Sequence, residues 1–130
     1  MLDNFFVPAR RVIFFARQEA GRLGADAIGT EHLLLGFLVV DGSFFAHETA
    51  IALRQAVAGA AASGDPKPDS AEMPLAAGAK SVFSALDGDE SVQPLHILRE
   101  LLGGKETFTG RLLEANGVTA GRIEAAIQAL

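Results

Sequence analysis

The sequence predicts an all-α fold, and three observations carry that prediction. Residues 9–23 place Ala9, Val12, Ile13, Ala16, Ala20 and Leu23 within about a 100° arc at the helical period. Residues 31–40 are apolar nearly all round (Leu33, Leu34, Leu35, Phe37, Leu38, Val39, Val40), as in a helix buried at a domain centre. No alternating apolar–polar run of useful length occurs, so no half-buried strand is expected.

In the first helix, 9–23, Arg10, Arg17 and Gln18 lie opposite the apolar arc, and Gly24 is a suitable C-terminal stop. Phe14 falls on the polar side, against the pattern. The second helix follows "IGTEH". Thr30 is the expected N-cap, its hydroxyl accepting from an amide one turn in. Glu31 then occupies the first turn, where the helix dipole favours a carboxylate. A third helix is expected over 46–58, with Ile51, Leu53, Ala56 and Val57. "GAAASGDPKPDSAEMP", 59–74, has glycines, three prolines and alternating charge, so it reads as a linker or long loop. Helical patterns resume at 76–86, 95–102, 107–115 and 120–129. Pro94 suits a first turn. Ile97, Leu98, Leu101 and Leu102 share one side of their helix, with Arg99 and Glu100 outward.

At 130 residues the chain fits one domain with a sizeable core. No apolar run approaches the roughly 18 residues of a membrane span, and the opening lacks the basic-then-apolar order of a signal peptide. With no cysteine there are no disulfides or thiolate metal sites, which fits a cytoplasmic protein. A net charge of −5 opposes nucleic-acid binding. Arg10, Arg11, Arg17 and Arg22 are interrupted by Glu19 and read as a solvated face. No metal or other cofactor is expected: His32 has no second ligand at helical spacing, and His47 and His96 stand alone.

The two sides of the linker are alike. "ARRVIFFA" (9–16) aligns with "AKSVFSAL" (79–86), and "IGTEHLLLGFL" (28–38) aligns with "VQPLHILRELL" (92–102), pairing His32 with His96. Two related helical halves, each burying the other's apolar face, would follow.

"ARRVIFFARQEAGRLGADAIGTEHLLLGFL" closely resembles the repeat of the Clp N-terminal domain, the substrate- and adaptor-binding module of ClpA- and ClpC-type unfoldases. The basic helix start at 9–11, "A..EA..LG" at 16–24 and "IGTEHLLLGFL" at 28–38 carry the resemblance. "LLEANGVTAGRIEAAI" (112–127) is similar to the repeat's closing segment. The resemblance implies two four-helix repeats related by a pseudo-two-fold axis: repeat one about 1–58, linker 59–74 and repeat two about 75–130. It implies a stand-alone module without the ATPase. "GGKET" (103–107) is no Walker A loop, because Glu106 replaces the Ser/Thr and Arg99 the first glycine.

The resemblance also implies partners: unfolded or tagged protein segments, and a Clp unfoldase or adaptor. In ClpC-type domains the glutamate of "GTEH", with a threonine from "FT..AR", binds phosphoarginine. Glu31 matches that glutamate, whereas the threonine positions hold Phe6 and Ala76 and the second glutamate is Leu95.

Thr30, Glu31 and His32 therefore read first as a helix start, second as a ligand contact. Catalysis is disfavoured, because no Ser or Cys nucleophile is adjacent in sequence. Seven of the nine phenylalanines lie in residues 1–45. Phe15 and Phe37 are easily placed in the core. Phe5, Phe6, Phe14, Phe44 and Phe45 either fill the core and anchor loops or form an exposed patch for a peptide or partner. The leading function is a non-enzymatic binding module, acting as accessory, decoy or regulator of Clp proteolysis. The alternatives are a small-molecule sensor and a structural oligomerisation domain.

Overall fold

The computed structural model describes residues 2–60, 64–68, 72–89 and 91–130. Among these lie seven α-helices and no strand: α1 (Val7–Arg22), α2 (Thr30–Asp41), α3 (His47–Ala60), α4 (Ala77–Leu86), α5 (Pro94–Gly103), α6 (Phe108–Ala115) and α7 (Ala120–Gln128). A short 3-10 turn, Gly42–Phe44, separates α2 from α3. None of these helices is long and apolar enough to cross a membrane.

Local chemistry sets several of the ends. Beyond α1, Gly24 takes φ +76°, and the Ala25 amide reaches back to the Ala20 carbonyl at 2.9 Å. Gly117 ends α6 in the same way, with φ +79° and a Val118 amide bonded to Leu113 O at 3.1 Å. Thr107 and Thr119 cap α6 and α7, accepting from the amides of Gly110 and Arg122.

The core forms where α1 and α5 meet the apolar second helix. Leu33, Leu34 and Phe37 of α2 are fully buried, as are Ile97 and Leu98 of α5. From α1 come Ala9, Val12, Ala16 and Ala20, none with any exposure. These small side chains let α2 approach closely, and Gly36 lies directly over the Val12 carbonyl.

The internal repeat is expressed in the backbone. The Phe6 amide bonds to Val92 O at 3.0 Å, and the Val92 amide to Asn4 O at 2.8 Å. On the other side the Ala76 amide bonds to Ile28 O at 2.9 Å, and the Ile28 amide to Pro74 O at 2.9 Å. The sequence alignment makes Asn4, Phe6 and Ile28 equivalent to Pro74, Ala76 and Val92. Exchanging the two halves therefore turns one isolated bridge into the other, as a pseudo-two-fold axis requires. Each half's leading segment pairs with the start of the other half's second helix. Asn4 strengthens one crossing by donating its side-chain amide to the carbonyls of Leu86 and Asp89.

The expected linker, 59–74, is shorter at its start than its composition suggests, because α3 runs through Ala60. Residues 61–63 and 69–71 lie outside the described residues. Residues 64–68 run against the end of α1: the Lys67 amide bonds to Gly21 O at 2.8 Å, and Arg17 donates to Pro68 O at 3.0 Å. Close backbone approach of Gly64 to Gly24 leaves no space for a side chain at either.

Candidate functional site

The start of α2 is built differently from expectation. Thr30 is the first helical residue, and Gly29 is the N-cap, in extended conformation at φ −99° and ψ 178°. The Gly29 amide is held by the side chain of the third helical residue, donating to His32 Nδ1 at 2.9 Å. Glutamate or glutamine usually performs this reach-back. Helix α5 repeats the arrangement: the Gln93 amide donates to His96 Nδ1 at 2.9 Å. The Thr30 hydroxyl is engaged elsewhere, 2.9 Å from that of the fully buried Thr109 in the second half. A tertiary contact thus overrides the good local capper, and the aligned histidines share one role.

Accepting that amide requires His32 Nδ1 to be unprotonated. Burial holds the His32 pKa below its ordinary 6.5, against the smaller upward pull of the Glu31 and Glu19 carboxylates. The folded state then binds fewer protons than the unfolded chain, so this stabilisation is complete above pH 6.5 and is lost as pH falls from 6.5 through the lower folded value. Urea midpoints should therefore drop more between neutral and mildly acidic pH for the wild type than for His32→Gln, whose amide oxygen can still accept. Parallel pH profiles for the two proteins would refute the assignment.

Glu31 is half-buried and folds back across the N-cap. A Cβ at Gly29 would lie inside van der Waals contact with its carboxylate, so glycine there leaves the space Glu31 occupies. Glu31 Oε1 is 3.3 Å from His32 Nδ1, a contact with a neutral imidazole rather than an ion pair. The first turn of α2 also places the carboxylate at the positive end of the helix.

Beside this helix start opens a groove of about 460 Å³. Leu23, Val57 and Phe108 supply apolar wall, and Glu31 and Asp26 supply carboxylates. Asp26 is exposed and meets Lys67 Nζ at 3.1 Å. Phe108 opens α6 and is 39% exposed, so the second half completes a groove otherwise built by the first. The sequence reading missed Phe108, Asp26 and Leu23. The only local signal was a phenylalanine placed directly after a capping threonine.

The phenylalanines do not gather into one surface. Phe5 and Phe45 are core residues, 3% and 5% exposed, and neither is available to a partner. Phe5 is drawn inward by its bridge to Val92 and packs on Phe83, with ring centroids 6.0 Å apart. Phe45 packs edge-on against Phe37. Phe44 is half-buried between Phe37 and Arg122, whose guanidinium lies 4.8 Å from its ring centre. Phe6 and Phe14 remain exposed, at 48% and 57%. Phe15 is only half-buried, its ring set edge-on to Phe14.

No family model and no curated protein sequence matches this chain. Solved structures do. The N-terminal domain of ClpD, a caseinolytic protease associated chaperone of Arabidopsis thaliana, is similar over 99% of this chain and 95% of its own, with 29% identity and a TM-score of 0.70. A protein from preliminary structural investigations of a malarial protein secretion system is similar over 97% of this chain and 93% of its own, with a TM-score of 0.79 at 16% identity. The architecture, the paired bridges and these likenesses agree: the chain has the Clp N-terminal domain fold.

Proposed function

We propose that the chain is a non-enzymatic module that binds extended polypeptide segments in the groove beside α2. In this reading it works in the cytoplasm as an accessory, decoy or regulator of a Clp unfoldase, with residues 1–58 and 75–130 acting as one double-repeat unit across 59–74. The observation that carries the reading is the juxtaposition of Glu31 with Leu23, Val57 and Phe108 around one open groove. A segment with a basic side chain next to apolar ones would pair with the carboxylate while covering Phe108. Among the described residues Glu31 has no lysine or arginine partner. Ala76 crosses to this helix start through its bond to Ile28 O and carries no hydroxyl to hold a phosphate. The favoured ligand side chain is therefore plain arginine or lysine. The fold supports a role among Clp proteins, in which this module precedes the motor.

Fluorescence anisotropy with a labelled, permanently unfolded protein tests the proposal. Saturable binding is expected, weakened about fivefold to tenfold by Glu31→Gln, the loss of one charge-assisted contact. Arginine-phosphorylated protein should bind no better than its unmodified form. Absence of saturable binding to either, together with no association with a purified Clp unfoldase, would sink the proposal.

A further inference from the structure

Helix α1 is amphipathic toward the core, yet its solvent face is not ordinary. Val7, Arg10, Arg11, Phe14 and Gln18 fall within about a 100° arc opposite Ala9, Val12, Ala16 and Ala20. Val7 and Phe14 are both 57% exposed, and Phe6 at the N-cap is 48% exposed. The two helical apolar residues are two turns apart, about 10 Å along the axis. Between them stand Arg10 and Arg11, both exposed and without an ion pair among the described residues. No acidic side chain joins this arc, although the chain as a whole carries −5. A local cationic, apolar strip on an anionic protein is a surface with a definite complement.

We propose that the outer face of α1 docks an acidic amphipathic helix of a partner protein. That helix would offer two apolar side chains about seven residues apart, to cover Val7 and Phe14, and Asp or Glu between them for Arg10 and Arg11. Charge decides among the possible occupants. A second copy docked across a two-fold axis on this face would bring Arg10 and Arg11 against their own equivalents. An anionic membrane would meet the same two arginines but repel a protein of net charge −5. An acidic helix satisfies both the arginines and the phenylalanine. The groove beside Glu31 has the opposite polarity and would reject it.

The test uses the whole chain and a fluorescein-labelled helical peptide of about 18 residues with leucines at i and i+7 and glutamates at i+3 and i+4. The control peptide carries lysines in place of the glutamates. The acidic peptide is expected to bind saturably and the lysine peptide about tenfold more weakly or not at all. Phe14→Ala should weaken the acidic peptide about fivefold, and Arg10→Glu with Arg11→Glu about tenfold, while circular dichroism shows the same fold. Both changes are on exposed side chains and act through different chemistry. Equal affinity for the two peptides, or indifference to both variants, overturns the proposal. So does a dimer in sedimentation equilibrium that Phe14→Ala disperses, or Phe14-dependent binding to phosphatidylserine vesicles without binding to the peptide.

Discussion

Phe37→Ala is expected to lower the unfolding free energy by about 3–5 kcal/mol, the range for deleting a buried aromatic side chain. Phe37 has no exposure, and it is the ring on which both Phe44 and Phe45 rest edge-on. Its loss removes the apolar transfer contribution and leaves a cavity that rigid helices close only in part. It also frees the 3-10 turn, because Phe44 anchors that turn beneath Arg122, which donates to Phe44 O at 2.7 Å. The damage should spread to α7, 78 residues away in sequence. Thermal melting should show a drop of roughly 10–20 °C for a domain of this size. With no tryptophan or tyrosine, near-ultraviolet circular dichroism reports the phenylalanines alone, so loss of their packing should appear there directly. A melting temperature within a few degrees of wild type would show that the aromatic cluster is not a packing centre.

Gly36→Ala, one residue away, should also destabilise, by less and for the opposite reason. A Cβ at that position would lie 2.2 Å from Val12 O and 3.0 Å from the Ala16 amide nitrogen. Both are backbone atoms within α1, so no side-chain rotation relieves the clash and the two helices must separate. Overpacking of this kind costs about 1–3 kcal/mol and sometimes more, exceeding the roughly 1 kcal/mol that alanine gains over glycine inside a helix. A matched control exists in α3. Gly59 faces open space, and Gly59→Ala should stabilise the protein by about 0.4–1 kcal/mol. Urea denaturation of both variants checks the pair. If Gly36→Ala proves neutral, α1 and α2 do not touch backbone to backbone.

The helices were legible because burial of one face at the 3.6-residue period is a local property of the sequence. The repeat was legible too, and its alignment maps one cross-half bridge onto the other. What failed depends on distant residues. Thr30 looks like a cap, but Thr109 takes its hydroxyl, and nothing near "IGTEH" announces that partner. The three phenylalanine pairs were ambiguous because neighbouring residues point to different sides. Phe5 is buried and Phe6 exposed, Phe14 exposed and Phe15 half-buried, Phe44 half-buried and Phe45 buried. Composition counts six rings there; geometry leaves two, Phe6 and Phe14, as exposed surface. Glu31 was found from its motif. The groove around it needed Phe108, which only the folded second half brings alongside.

The crossed bridges carry a consequence for how the protein is made. Asn4 finds its carbonyl partners at Leu86 and Asp89, the latter 85 residues downstream. Chains emerge at about 5–20 residues per second, so Asn4 waits roughly 4–17 s for its partners. Through that interval the leading strand-like segment is unpaired and the apolar second helix lacks α5 to cover it. A nascent first half in this condition is an open, apolar polypeptide, the very kind of segment proposed here as the ligand of the finished fold.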